Sequence, residues 1–174
     1  MRDENLVILI TREKISDRVR ELAADISRDY KDKNLLLLCV LKGAVIFLAD
    51  LIRNLELTAE LDFIAASSYD KDASGGKVDL SPVFSTDVRA KDVLIVEDIL
   101  DTGLTYRALT DYFATHKPAS LKLCALLDKP SQRRVEALRP DYIGFTIPDK
   151  FVVGYGLDYE QRHRGLQDIC IIDI

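Results

Sequence analysis

At 174 residues, 48% of them apolar and 30% charged, the chain has the size and balance of one soluble domain with a substantial core. A net charge of −5 argues against a general nucleic-acid face, and no apolar run approaches the roughly 20 residues of a membrane span. The N-terminal Met1-Arg2-Asp3-Glu4-Asn5 is polar and lacks the apolar core and cleavage site of a secretory leader, so the expected location is the cytoplasm.

Leu6 to Ile10 reads as a short strand, and Thr11 as the N-cap of the helix after it. In that helix Ile15, Val19, Leu22, Ile26 and Tyr30 recur at helical spacing as one buried stripe. Leu35-Leu36-Leu37-Leu38-Cys39-Val40 is a continuous apolar run, the pattern of a parallel strand covered on both faces. A helix from Ala44 to Leu55 is expected to turn Val45, Leu48, Leu51 and Ile52 inward. Leu61 to Ser68 is a third strand. The polar, glycine-containing stretch at about 69–79 has little to bury and is expected to be a mobile loop, with Leu80 to Thr86 as the return strand, interrupted by Pro82. Val93 to Val96 is a buried strand, followed by a helix from about Gly103 to His116 and by strands at Leu121–Leu127 and Asp141–Phe145. From Phe151 onward the pattern is not helical and ends in a strand-like Ile169-Cys170-Ile171-Ile172.

Strands alternating with amphipathic helices predict an α/β fold with a doubly wound, mostly parallel sheet, and a single domain over residues 1–174. Cys39, Cys124 and Cys170 each lie among strand-like apolar residues and read as buried free thiols. His116 and His163 are isolated and read as surface residues, and no Cys/His spacing suits zinc.

The chemistry concentrates in Val93-Leu94-Ile95-Val96-Glu97-Asp98-Ile99-Leu100-Asp101-Thr102-Gly103-Leu104-Thr105. A buried strand here ends in two carboxylates and an Asp/Thr/Gly turn that opens a helix, the place where α/β proteins bind phosphorylated ligands. Glu97 and Asp98 can accept hydrogen bonds from neighbouring sugar hydroxyls. The backbone N–H groups and hydroxyls of Thr102, Gly103, Leu104 and Thr105 can cradle a phosphate, with Gly103 permitting close approach. A ligand with both parts is a ribose 5-phosphate.

This run resembles the phosphoribosyl-pyrophosphate signature of the type I phosphoribosyltransferases, in the version of the hypoxanthine/guanine branch. Leu41-Lys42-Gly43, Ser67-Ser68-Tyr69-Asp70, Leu126-Leu127-Asp128-Lys129-Pro130 and Phe151-Val152-Val153-Gly154-Tyr155-Gly156-Leu157-Asp158-Tyr159 fall in the family's order. The resemblance implies a small hood built from the two terminal segments. It also implies a purine-salvage enzyme that transfers ribose 5-phosphate from phosphoribosyl pyrophosphate to hypoxanthine, with guanine also expected, giving IMP or GMP and pyrophosphate.

By the same resemblance, Asp101 is the general acid/base facing the purine, although by itself it also reads as a helix cap. Lys129 donates to the 6-oxo group, Phe151 stacks on the ring, and the backbone of Val152 meets the base edge. Without the family, Phe151 reads as core and Lys129 as a solvated lysine. Lys42 and Gly43 would meet the pyrophosphate through a Leu41–Lys42 peptide that can be cis, and Arg164, Ser68 and Tyr69 would meet the same group. Ser68 and Tyr69 start the closing loop. Mg²⁺ is the implied cofactor, with Asp158, Glu97 and Asp98 as its carboxylates. A homo-oligomer, dimer or tetramer, is implied as well. Two other readings stand beside this one: a nucleotide-sensing regulator on the same fold, and a xanthine-preferring transferase.

Overall fold

The computed structural model describes residues 6–69, 77–82, 86–135 and 138–173. The first helix, α1 (Arg12–Asp29), starts as its sequence dictates: the Thr11 side chain accepts from the Lys14 backbone N–H at 3.5 Å. Its stripe of Ile15, Val19, Leu22 and Ile26, continued by Tyr30, is buried throughout.

The leucine run forms β2 (Leu35–Leu41), near the centre of a six-stranded sheet. Its residues are apolar in succession because each face meets its own core. Leu35, Leu37 and Cys39 pack with α1 and with α2 (Val45–Asn54), whereas Leu36, Leu38 and Val40 pack with Leu109 and Phe113 of α3 (Leu104–Ala114). The other strands are β3 (Glu60–Tyr69), β4 (Lys77–Pro82), β5 (Asp92–Leu100), β6 (Ser120–Asp128) and β7 (Tyr142–Thr146). The sheet order is β4-β3-β2-β5-β6-β7, parallel except for the antiparallel edge strand β4. From β2 the chain steps to β3 on one side, then returns to lay β5 on the other. Such a reversal opens a crevice beyond the carboxyl ends of the two central strands, the place where open α/β sheets bind ligands. A second sheet of three antiparallel strands, β1 (Leu6–Ile10), β9 (Ile169–Ile172) and β8 (Val152–Val153), joins the N- and C-terminal segments into the expected hood.

The structure departs from the sequence reading in register more than in kind. β5 runs to Leu100, so Glu97 and Asp98 lie inside the strand; pairing with β6 continues through Ile99–Leu127 and Leu100–Asp128 and holds them there. β4 begins at Lys77, drawn out by a ladder in which Tyr69 pairs with Lys77. Val45, expected inward, is 40% exposed, and Phe47 takes the buried place, because docking on α1 sets the helix's rotation. His116 is half-buried and stacks on the Tyr112 ring, with centroids 4.4 Å apart.

All three cysteines are free and buried. Burial pushes the Cys39 thiol up to about 12 and raises that of Cys124 as well. A dithionitrobenzoate reagent at pH 8 should therefore label these two only as fast as the protein unfolds, and urea should accelerate the labelling. Rapid reaction of the native protein would contradict the core packing described here.

Candidate active site

Three segments meet at the crevice, and glycines let them touch. β2 ends at Leu41, the Leu41–Lys42 peptide is cis, and Lys42 is exposed while Gly43 is buried. A Cβ on Gly43 would lie 1.6 Å from Asp98 Oδ2, so the β5 carboxylate occupies the space a side chain would need. From the other side, Gly156 has φ +103°, and a Cβ there would lie 2.1 Å from the Gly43 carbonyl oxygen. The loop carrying Gly156 is anchored on α2 by Tyr155, whose hydroxyl donates to Asp50 Oδ2 at 2.6 Å. It is braced by Arg164, which donates from Nη1 to the Gly156 carbonyl at 2.8 Å and from Nη2 to Asp158 Oδ1 at 2.6 Å. Asp158 Oδ2 also accepts from the Gln161 backbone N–H at 2.8 Å.

Beyond β5 lies a cavity of about 310 Å³, bounded by Glu97, Asp98, Asp101 and the Thr102–Thr105 turn. The N-terminus of α3 opens on it, with the partial positive charge of unpaired amides. Its N-cap is Gly103 at φ +83°, without a side-chain cap; the nearest substitute is Thr102 Oγ1, which accepts from the Leu104 N–H at 3.4 Å. A Cβ on Gly103 would meet Leu138 Cδ2 at 2.6 Å. The segment after β6 straps this turn down. Lys129 N–H donates to the Leu100 carbonyl at 3.0 Å, and the Arg134 and Val135 amides donate to the Thr102 carbonyl at 3.0 and 3.2 Å.

The carboxylates are enclosed. Glu97 is 6% exposed and its Oε2 has no partner among the described residues. Burial, reinforced by the Asp98 charge and opposed by Arg133, pushes Glu97 up to about 8. Burial raises Asp98 to about 6, against the Ile99 amide that donates to it at 3.0 Å and against Arg164. Asp101 is raised by burial, with Lys129 the largest opposing influence, and its buried Oδ1 has no partner among the described residues. It caps no helix: the cap position falls two residues later.

Lys129 is only 9% exposed, not the solvated lysine that its place before Pro130 predicts. Its ammonium lies 3.0 Å from Asp149 Oδ1, and Gln132 Nε2 donates to Asp149 Oδ2 at 2.5 Å. The Lys129 hydrogen bond holds Asp149 below the usual carboxylate range. Next to this pair, Arg133 and Asp128 form a close, buried ion pair. Phe151 is 41% exposed rather than core, edge-on to Tyr159 with centroids 5.7 Å apart, and Val152 is buried at the start of β8.

Ser68 and Tyr69 stand at the end of β3, in register with Val78 and Lys77. Most of the expected closing loop at about 69–79, residues 70–76, lies outside the described residues. Among the described residues no three His, Cys, Asp or Glu side chains gather as a metal cage, so Asp158, Glu97 and Asp98 do not form one preassembled cluster. Arg134 on the cavity wall and Asp149 beside Lys129 escaped the sequence reading. Each gains its place through contacts across loops, which no local periodicity records.

A switch-point crevice with an acidic strand end, a cavity of about 310 Å³ and a helix N-terminus is the arrangement in which α/β proteins take phosphorylated ligands. The chain belongs to the phosphoribosyl transferase domain family, whose model it matches over residues 9–160. It is 43% identical over 166 residues to a Bacillus subtilis hypoxanthine-guanine phosphoribosyltransferase, covering 95% of this chain and 92% of that one. A hypoxanthine-guanine-xanthine phosphoribosyltransferase of Tritrichomonas foetus is 40% identical over 172 residues, covering 99% and 94%. The crystal structure of a hypoxanthine-guanine phosphoribosyltransferase from Bacillus anthracis superposes with a TM-score of 0.90 at 44% identity, covering 95% of this chain and 98% of that one. The expected type I phosphoribosyltransferase fold is thus the observed one.

The raised carboxyls set a pH dependence. Unfolded Glu and Asp titrate near 4.3 and 3.9, so between about pH 4 and 8 the native state holds protons that the unfolded state has lost. Stability of the Mg²⁺-free protein should fall as pH rises through that window. Glu97→Gln carries no ionisable proton there, so its melting temperature should drop less between pH 5 and pH 8.5 than that of the wild type. Equal drops would show that Glu97 is not held protonated.

Proposed function

We propose that this chain catalyses purine salvage, transferring ribose 5-phosphate from phosphoribosyl pyrophosphate to hypoxanthine and to guanine, giving IMP or GMP and pyrophosphate. The family and the names of its relatives support this reading. The observation that carries it lies where the cavity meets the segment after β6: Asp101, a lining carboxyl whose buried Oδ1 has no partner among the described residues, stands next to Leu100, whose carbonyl accepts from the backbone N–H of the buried Lys129 at 3.0 Å.

In this reading residues 1–174 are one catalytic domain. Glu97 and Asp98 accept from the ribose hydroxyls. The 5-phosphate rests on the amides of Thr102, Gly103, Leu104 and Thr105 and on the two threonine hydroxyls. Lys42 and Gly43 present their backbone to the pyrophosphate, and Arg164 offers its guanidinium. As the bond from the anomeric carbon to pyrophosphate breaks, that carbon gains oxocarbenium-like charge and a purine nitrogen forms the new bond. The proton lost from the purine passes to Asp101, which burial makes a better base. Lys129 donates to the 6-oxo group, Phe151 stacks on the ring with its exposed face, and Val152 meets the base edge. A closing loop that begins at Ser68 and Tyr69 would keep water from the ribosyl carbon.

The residues present fit Mg²⁺, a hard cation that takes one or two carboxylates together with phosphate oxygens and waters. Glu97, whose Oε2 has no partner among the described residues, and Asp98 on β5, or Asp158 on the loop after β8, are the groups that would hold it, with phosphate oxygens and waters completing the shell. When bound, it neutralises charge on the pyrophosphate. A cytoplasmic location is supported by three free thiols, and among the described residues no helix is long and apolar enough to cross a membrane. Assembly as a dimer or tetramer is supported by Val7 and Ile8, each 57% exposed on the hood's edge strand.

Turnover with Mg²⁺, phosphoribosyl pyrophosphate and each purine in turn tests the proposal, and absence of IMP formation from hypoxanthine would defeat it. Asp101→Asn should fold normally and lose roughly 10²–10⁴-fold in turnover, the usual contribution of a positioned acid/base. Near-normal turnover would remove its catalytic role. Base choice should rest on Lys129, because an ammonium donates and cannot accept. Facing the adenine amino group, it would leave opposed donors desolvated, at about 1–3 kcal/mol or more. Lys129→Gln supplies an acceptor as well as a donor, so the ratio of hypoxanthine to adenine use should fall. An unchanged ratio would mean that another group reads the 6-position.

A further inference from the structure

We infer that Arg134 is a specificity-determining cation for the 5-phosphate of the substrate, a role that rests on the sugar-phosphate reading of the cavity given above. The residue lines the same cavity as the Thr102–Thr105 turn. Its place there is fixed by its backbone, since its amide donates to the Thr102 carbonyl at 3.0 Å. The side chain therefore starts one hydrogen bond away from the turn that would cradle the phosphate.

Charge balance gives that side chain its task. The cavity wall carries Glu97, Asp98 and Asp101, and Arg134 is the sole basic residue among the described residues that line it. A phosphate monoester brings up to two further negative charges at neutral pH. The α3 N-terminus offsets them with only about half an elementary charge. The neighbouring arginines do not line this cavity: Arg133 pairs with Asp128, and Arg164 lies on the pyrophosphate side, against Asp158 and the Gly156 carbonyl. Arg134 is exposed, and among the described residues its guanidinium has no ion-pair partner. A planar guanidinium can donate two parallel hydrogen bonds to phosphate oxygens, so it suits this end of the ligand better than a point charge.

Calorimetric titration with IMP and, separately, with Mg²⁺ and pyrophosphate distinguishes the two ends of the site. Arg134→Gln should weaken IMP binding about tenfold at low salt, leave pyrophosphate binding unchanged, and keep the wild-type melting temperature. The gap from wild type should narrow as salt is raised. Arg134→Lys, which keeps the charge and loses the fork, should recover part of the IMP affinity. Equal IMP affinity in wild type and Arg134→Gln overturns the inference, as does an equal weakening of IMP and pyrophosphate. A wild-type protein that binds pyrophosphate but not IMP would instead defeat the sugar-phosphate reading, and the inference with it.

Discussion

The carboxylate of Asp98 stands where a side chain at position 43 would be, and the backbone at Gly43 in turn leaves no room for one at Gly156. Through this double contact the carboxyl ends of β2 and β5 and the loop after β8 become one surface. If any of the three drew back, Lys42, the acidic pair and the Asp158–Arg164 pair would belong to separate parts of the molecule. The reversal of strand order brings β2 and β5 side by side. The glycines convert that adjacency into contact, because only a residue without Cβ lets two backbones and a carboxylate share so little space.

The base side is held by a different device. The chain leaving β6 makes three backbone hydrogen bonds to the β5–α3 turn, at Leu100 and Thr102, so the segment that carries Lys129 and the turn that carries Asp101 move as one piece. Two ion pairs, Lys129–Asp149 and Arg133–Asp128, then fix the charged groups along that strap. Asp149 supplies the counter-charge that a nearly buried lysine side chain needs. Reaction requires the base and the anomeric carbon to be aligned to within a fraction of an ångström, and a shared rigid strap meets that demand better than two independent loops.

These arrangements come at a cost in the ligand-free protein. Glu97 is buried and Asp98 and Asp101 are half-buried, Glu97 and Asp101 each keep an oxygen with no partner among the described residues, and burial raises all three. The two packed cores on either face of β2 supply the stability that permits it. Strain gathered at a site and offset elsewhere in the fold is the usual sign of function rather than of poor packing.

The sequence by itself determined the elements and the signature. Apolar runs without alternation mark β2, β5 and β6, because strands covered on both faces have no polar side to show. The stripe from Ile15 to Tyr30 marks α1, because helical periodicity is written locally. Glu97 to Thr105 is legible for the same reason: the acidic pair and the Asp/Thr/Gly turn are consecutive along the chain. What only the tertiary structure decided depends on contacts between residues far apart in sequence. Phe151 reads as core and is exposed, Lys129 reads as solvated and is buried, and Asp101 reads as a cap but caps no helix and keeps a buried oxygen with no partner among the described residues. In each case burial is set by which loop lands on which, a property of strand order and close backbone approach. The pairing of Lys129 with Asp149 and the arrival of Arg134 at the cavity beside the Thr102–Thr105 turn belong to the same class. No spacing along the chain encodes them, because the groups meet only after the sheet has wound in both directions and the hood has closed over its end.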